Sequence, residues 1–210
     1  MVKRWGLFLL MIGLTYSVAA QKPAVSVLKQ KAPETFRAVF TTTKGDFEIE
    51  AYRKWSPLGV DRLYQLISTG FYDKALLFRV EPGFVVQFGI GASYSDNRFW
   101  DPKKLLDEPM LQKNLSGTIA FARGGPKERA TQIFINLSDN KKLDTVIRGG
   151  VKGYTPIARV LRGMDHIKKF YGGYGKRPAL IQDSLYKYGN FYFQERFPML
   201  DQIIRARIVK

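Results

Sequence analysis

Alternation of apolar and polar positions sets the frame of this chain. "RAVFTTTKGDFEIEAY" carries two β-rich runs joined at Lys44-Gly45-Asp46, the pattern of a hairpin. The period then changes. Ser56 and Pro57 suit an N-cap and a first helical position. "LGVDRLYQLISTG" places Val60, Leu63, Leu66 and Ile67 on one helical face, with Gly70 as the stop. "ALLFRVEPGFVVQFG" reads as two strands, 75–81 and 84–90, hinged at Pro82-Gly83. Residues 91–114 are polar, aromatic and proline-containing, which predicts a long surface connection. "SGTIAFAR", "TQIFINLS" and "TPIARVLRG" read as strands, with a Gly/Lys-rich loop at 139–154. "GMDHIKKFYGGYG" predicts a short helix stopped by glycine. An irregular basic and aromatic stretch follows, and "DQIIRARIVK" closes the chain as a strand. The total is about eight strands and two helices. Hairpin-length connections make the sheet antiparallel, and eight strands suffice to close a barrel filled by side chains. The expectation is a mainly β fold: a closed eight-stranded antiparallel β-barrel flanked by two α-helices, in one domain over residues 36–210.

The N-terminus follows another rule. Lys3 and Arg4 precede the apolar run "GLFLLMIGLTYSV", and small residues end it at Ala19-Ala20. This is the layout of a secretory signal peptide over residues 1–20, cleaved after Ala20. The alternative is a retained anchor, but the run falls short of the roughly 18 to 20 apolar residues a span needs. Residues 21–35, with Pro23 and Pro33, read as a flexible lead-in. Export to a periplasm is expected, or secretion, with no membrane span after cleavage.

Composition narrows the chemistry. The chain has no cysteine, so disulfides, cysteine catalysis and cysteine-held metal sites are excluded. Its formal net charge is +16, with 34 Lys+Arg against 18 Asp+Glu. Loss of residues 1–20 removes Lys3 and Arg4, and 16 − 2 leaves +14. Such a surface favours anionic partners, but no nucleic-acid motif accompanies it, so no specific nucleic-acid target is expected. The only histidine, His166, sits in the short helix "MDHIKK", away from every candidate site residue, and no G-x-S-x-G elbow is present. "YGGYGKRP" lacks the frame of a phosphate-binding loop. Metal ligation has no cluster of His and carboxylates to rest on, so no cofactor is expected. Asn114 and Asn136 begin glycosylation-type tripeptides, which recur by chance.

Two polar residues interrupt the apolar strands at 75–90: Arg79 in the first and Gln87 in the second. Period two puts Arg79 and Glu81 opposite Phe78 and Val80. If Phe78 and Val80 fill the barrel, Arg79 lies outside it. From pattern alone, a solvent-facing Arg and a cross-strand polar pair explain these residues as well as chemistry does.

Longer motifs go further. "FRVEPGFVVQFG" resembles the signature segment of the cyclophilins, the peptidyl-prolyl cis–trans isomerases. "GTIAFARGGPKERATQIFINL" resembles their second signature, and "KKLD" with "YTPIARVLRGMDHI" their closing segment. The likeness runs from about Phe36 to Gly175, in the family's order and spacing, and "FPMLDQIIRARIVK" is similar to the last strand of bacterial members. It implies that the catalytic arginine is Arg79 and its supporting glutamine Gln87. The proline pocket would be Phe84, Val85 (commonly Met in the family), Phe134 and Leu143. The groove's backbone contacts would be Ala122 and Arg123, with Gln132 a further substrate contact. Three departures stand out: Phe78 where the family has His, Tyr154 at a pocket-edge His, and Lys142 where cyclosporin-sensitive members have Trp. Lys142 implies weak cyclosporin binding. Ala122-Arg123-Gly124 replaces the family's Ala-Asn-Ala.

The resemblance implies a cofactor-free monomer that turns X–Pro bonds in unfolded or flexible segments of exported proteins. The rival reading is a cyclophilin-fold binding protein or holdase of low turnover, using its basic surface.

Overall fold

The computed structural model describes residues 25–209, so the leader at 1–20 and the first residues of the lead-in lie outside the described residues. β1 (Thr35–Thr42) and β2 (Gly45–Tyr52) form the predicted hairpin, paired from Thr42↔Gly45 to Thr35↔Tyr52. Phe40 and Phe47 face each other across it and stack at 4.8 Å. The other strands are β3 (Arg79–Glu81), β4 (Val85–Phe88), β5 (Thr118–Phe121), β6 (Ile133–Asn136), β9 (Pro156–Arg162) and β10 (Ile203–Val209). Together they make one antiparallel sheet in the order β10-β1-β2-β9-β5-β6-β4-β3. β7 (Ile147–Arg148) and β8 (Val151–Lys152) pair as a separate small ribbon.

The sheet curls around its core but does not close into the expected barrel. No ladder joins β3 to β10 among the described residues. Instead Leu77 N–H donates to the Asp201 carbonyl and Ile203 N–H to the Ala75 carbonyl, both at 2.9 Å, ahead of β3 and at the entry to β10. The reason lies in the pleat. Leu77 and Val80 both enter the main core although they are three residues apart, which a regular strand forbids. That irregularity leaves β3 only three residues long. It also sends Phe78 away from the barrel interior, where period two had placed it, into a second cluster with Leu76, Ile90, Leu185 and Phe193.

Two helices were expected and five are present among the described residues. α1 (Pro57–Ser68) buries Val60, Leu63, Leu66 and Ile67, the predicted face. Its N-terminus is satisfied in an unexpected way. Ser56 makes no side-chain cap; the Glu108 carboxylate accepts from Leu58 N–H at 2.7 Å and Gly59 N–H at 3.1 Å. Glu108 also binds the Ser56 hydroxyl and, at 3.1 Å, the buried Arg129 guanidinium. A negative charge at a helix N-terminus is favourable, so the 91–114 connection is pinned to α1 by electrostatics as well as hydrogen bonds.

That connection contains α2 (Tyr94–Trp100), capped by the Ser93 hydroxyl accepting from Asp96 N–H at 3.3 Å. α3 (Lys142–Thr145) and α4 (Met164–Ile167) are single turns. α5 (Gln182–Arg196) occupies the stretch that reads as irregular, and it is broken at Gly189, φ 74° and ψ −172°. Residues before β1, read as a flexible lead-in, carry a 3-10 turn at Val25–Lys29. Val27 and Ala32 there are buried, and Gln65 of α1 donates to the Gln30 carbonyl at 2.8 Å. Among the described residues no helix is long and apolar enough to cross a membrane.

Candidate active site

A tight turn places the first wall. Pro82 and Gly83, the latter at φ 74°, return the chain so that Arg79 pairs with Gln87 and Val85 with Asn136. The turn is tied from the β6 side: Ser138 Oγ donates to the Gly83 carbonyl at 2.6 Å and Asn140 Nδ2 to the Phe84 carbonyl at 2.9 Å. Register across β4, β6 and β5 then sets Gln87 opposite Phe134, and Phe134 opposite Ala120. Val85, Ala120, Phe134 and Tyr154 form a buried apolar floor, with Phe84, Ala122, Leu143 and Val146 packed against it.

A second wall comes from residues 139–154. Asn114 Nδ2 donates to Asp144 and to the Tyr154 carbonyl, both at 2.9 Å, and Asn114 Oδ1 accepts from Asn136. Both asparagines are buried, at 1% and 0% exposure, so the tripeptides they begin serve packing and leave no room for a glycan. Tyr154 meets Phe134 edge to face at 5.5 Å. Arg123 turns inward: its guanidinium lies 5.0 Å over the Tyr154 ring and donates to the Val151 and Gly153 carbonyls. The side chain at 123 thus holds the β8 segment in place.

Between these walls lies one open cavity of about 450 Å³. Arg79, Gln87, Phe84, Val85, Ala122, Arg123, Gln132, Phe134, Leu143 and Tyr154 all line it, so the structure brings the ten sequence-derived candidates together. Lys142 does not line it and is exposed at the start of α3. His166, by contrast, binds the Asp46 carbonyl at the β1–β2 hairpin.

Arg79 sits on the rim, partly buried. Its Nε donates to Glu81 at 2.5 Å and its Nη1 to Gln87 Oε1 at 3.1 Å, while the Phe84 ring lies 5.5 Å below the guanidinium. Among the described residues nothing accepts from Nη2, so those N–H groups are available to a ligand. Gln87 Nε2 donates in turn to Gln132 Oε1 at 2.8 Å. A planar, permanently charged donor is therefore held at the edge of an apolar, aromatic hollow.

Sequence reading missed residues on the far side. Gln182 and Tyr186 of α5 line the cavity, as do Asp101 and Lys104 after α2. The capping pattern Ser93-x-x-Asp96 would have revealed α2. α5 offered no such signal. Burial raises the Tyr186 phenol above its ordinary value, while its bond with Gln132 acts in the opposite direction.

The family model for cyclophilin type peptidyl-prolyl cis-trans isomerase/CLD matches residues 37–184. Peptidyl-prolyl cis-trans isomerase A of Dickeya dadantii is 32% identical over 179 residues, covering 80% of this chain and 90% of that protein. A peptidyl-prolyl cis-trans isomerase of Acinetobacter baylyi is 29% identical over 135 residues, 61% of this chain and 68% of that protein. A crystal structure of a cyclophilin type isomerase of Cryptosporidium parvum shares the fold, with TM-score 0.59, 17% identity and coverage of 84% of this chain and 98% of that one. By sequence and by fold, the chain belongs to the cyclophilin-type peptidyl-prolyl cis–trans isomerases.

Proposed function

We propose that this isomerase turns X–Pro bonds in exported proteins, with Arg79 as its catalytic residue and the Phe84–Val85–Phe134–Leu143 hollow as the seat of the proline ring. The observation that carries the reading is the Arg79 guanidinium, fixed in plane by Glu81 and Gln87 at the rim of that hollow.

Rotation about a peptide bond costs about 18 to 20 kcal/mol because the nitrogen lone pair is shared with the carbonyl. Isomers of X–Pro are nearly equal in energy but exchange over tens of seconds or longer. The reaction needs no nucleophile and no proton transfer. In the twisted transition state the nitrogen recovers its lone pair and becomes an acceptor. A donor waiting there binds the transition state more strongly than the planar amide, which is what acceleration requires. Aromatic walls at Phe84 and Phe134 hold the ring while the acyl side turns. Ala122 and Arg123 offer main-chain groups to the substrate backbone, and Tyr154 closes the pocket's edge.

Export is inferred from the leader: Lys3-Arg4, the apolar run and Ala19-Ala20. Clients would then be proline-containing segments of unfolded or flexible exported proteins. N-terminal sequencing of the mature protein should begin at Gln21; a chain still carrying Met1 would remove the export argument.

The test of the catalytic reading is isomerisation of an X–Pro peptide by residues 21–210 and by Arg79→Ala at one salt concentration. Losing the donor should cost roughly 10² to 10³ in rate, as for other preorganised donors. A folded wild type that gives no acceleration would contradict it.

A further inference from the structure

We propose that α5 sets the aim of Arg79: Gln182 and Tyr186 lock the Gln132 amide, Gln132 locks Gln87, and Gln87 fixes the guanidinium, so that Gln132, Gln182 and Tyr186 are positioning residues. The proposal rests on the isomerase reading of the cavity.

The argument starts from a property of amides. A glutamine presents an acceptor on one side and a donor on the other, and the two can exchange by a half-turn. For Gln87 only one orientation supports Arg79, with Oε1 toward Nη1 at 3.1 Å. The opposite orientation sets donor against donor. Gln132 removes that choice, because its Oε1 accepts from Gln87 Nε2 at 2.8 Å. Arg79, which can only donate, sets the sense of the relay, and α5 holds Gln132 in that sense with two acceptors. Gln132 Nε2 donates to Gln182 Oε1 at 3.1 Å and to Tyr186 Oη at 3.0 Å, which occupies both amide hydrogens. The relay runs from β3 through β4 and the residue before β6 to the helix, and all of its members line the cavity.

A second contact reaches Arg79 through the main chain. Phe78, its immediate neighbour, is buried beneath α5 with Leu185 and Phe193. The helix therefore touches the catalytic arginine's strand on its apolar side and the arginine's side chain through amides. This gives the departure at position 78 a purpose in this chain, since an aromatic hydrocarbon there fills the space under α5. It also changes the reading of Gln132. With both its N–H groups committed to α5, it orients Gln87 and is not free to donate to substrate.

The test compares Gln182→Leu with Tyr186→Phe, singly and together, in residues 21–210, measuring kcat and KM separately on an X–Pro peptide. The double variant should lose roughly tenfold in kcat, with KM changed less than about twofold. Gln182→Glu, which keeps an acceptor at the same place, should recover most of the loss seen with Gln182→Leu. In an Arg79→Ala background the double variant should change the residual rate less than about twofold, because a positioning residue has nothing left to position. Broadening of the Arg79 Nε–H resonance in the double variant reads the same loss of order without any turnover. A rise in KM alone would make α5 a binding wall and overturn the proposal. So would an equal loss in the Arg79→Ala background, or an unchanged Arg79 resonance. Wild type without activity but with an ordered Arg79 that α5 variants loosen would instead sink the catalytic reading and leave the relay standing.

Discussion

Inside the curl of the sheet, Phe40, Phe47, Phe88 and Phe121 pack among aliphatic residues from all eight strands of the sheet and from α1. Beneath α5 a smaller cluster holds only Leu76, Phe78, Ile90, Leu185 and Phe193 at its centre. Most residues of the first come from regular elements whose apolar positions recur every second or every third and fourth place. Those of the second come from the irregular run before β3, the segment after β4 and a helix interrupted at Gly189. The large core makes the molecule stand; the small one decides where the helix beside the cavity sits. Stability and aim are thus entrusted to different parts of one chain, and they should fail separately.

The largest expected effect comes from the large core. Phe47→Ala should cost about 3 to 5 kcal/mol in denaturant unfolding, felt by the whole sheet. Phe193→Ala should act locally, raising hydrogen exchange across 182–196 while β1, β2 and β9 amides stay protected. Equal loss of protection in both regions would erase the distinction. Next is Glu108→Ala, which leaves the buried Arg129 without its carboxylate and the α1 N–H groups without an acceptor; about 3 kcal/mol of stability should go. Gly189→Ala should be smaller, about 1 to 2 kcal/mol and confined to α5. A Cβ there meets no atom within 4 Å, so only the left-handed backbone is strained.

Smallest is the response to pH. Arginine keeps its charge at physiological pH, and burial raises the Tyr186 phenol, so it gives up its proton at higher pH than an exposed tyrosine does. Turnover should be flat from about pH 6 to 9. The raised phenol supports α5 fully below about pH 10, and that support is lost as pH climbs toward the folded value. Alkaline loosening of 182–196 ahead of the sheet would show it; a sigmoid in kcat near neutrality would speak against the proton-free chemistry.

Much of this architecture was readable from the chain because local pattern controls it. Alternation located the β1–β2 hairpin, and the helical period located the buried face of α1. What escaped depends on partners far apart in sequence. Ser56 fits an N-cap by position, yet the capping carboxylate is Glu108. Nothing near residue 77 shows that its N–H will meet Asp201 and not a continuous β10 ladder, so closure of the barrel could not be judged. At α5, Leu185 and Phe193 lie on either side of a glycine that breaks the helical repeat. The candidate site divides along the same line. Its ten inner residues were placed by likeness to a family, whereas pattern left Arg79 and Gln87 an ordinary cross-strand pair. Gln182 and Tyr186 lie in the segment where neither helped.

The most direct test is a crystal structure of residues 21–210 with an X–Pro peptide. The proline ring should lie between Phe84, Phe134 and Leu143, with an Arg79 N–H within hydrogen-bond reach of the prolyl amide and Gln132 still bound to α5. A peptide seated elsewhere, or one that leaves Arg79 turned away toward Glu81 alone, would contradict the account.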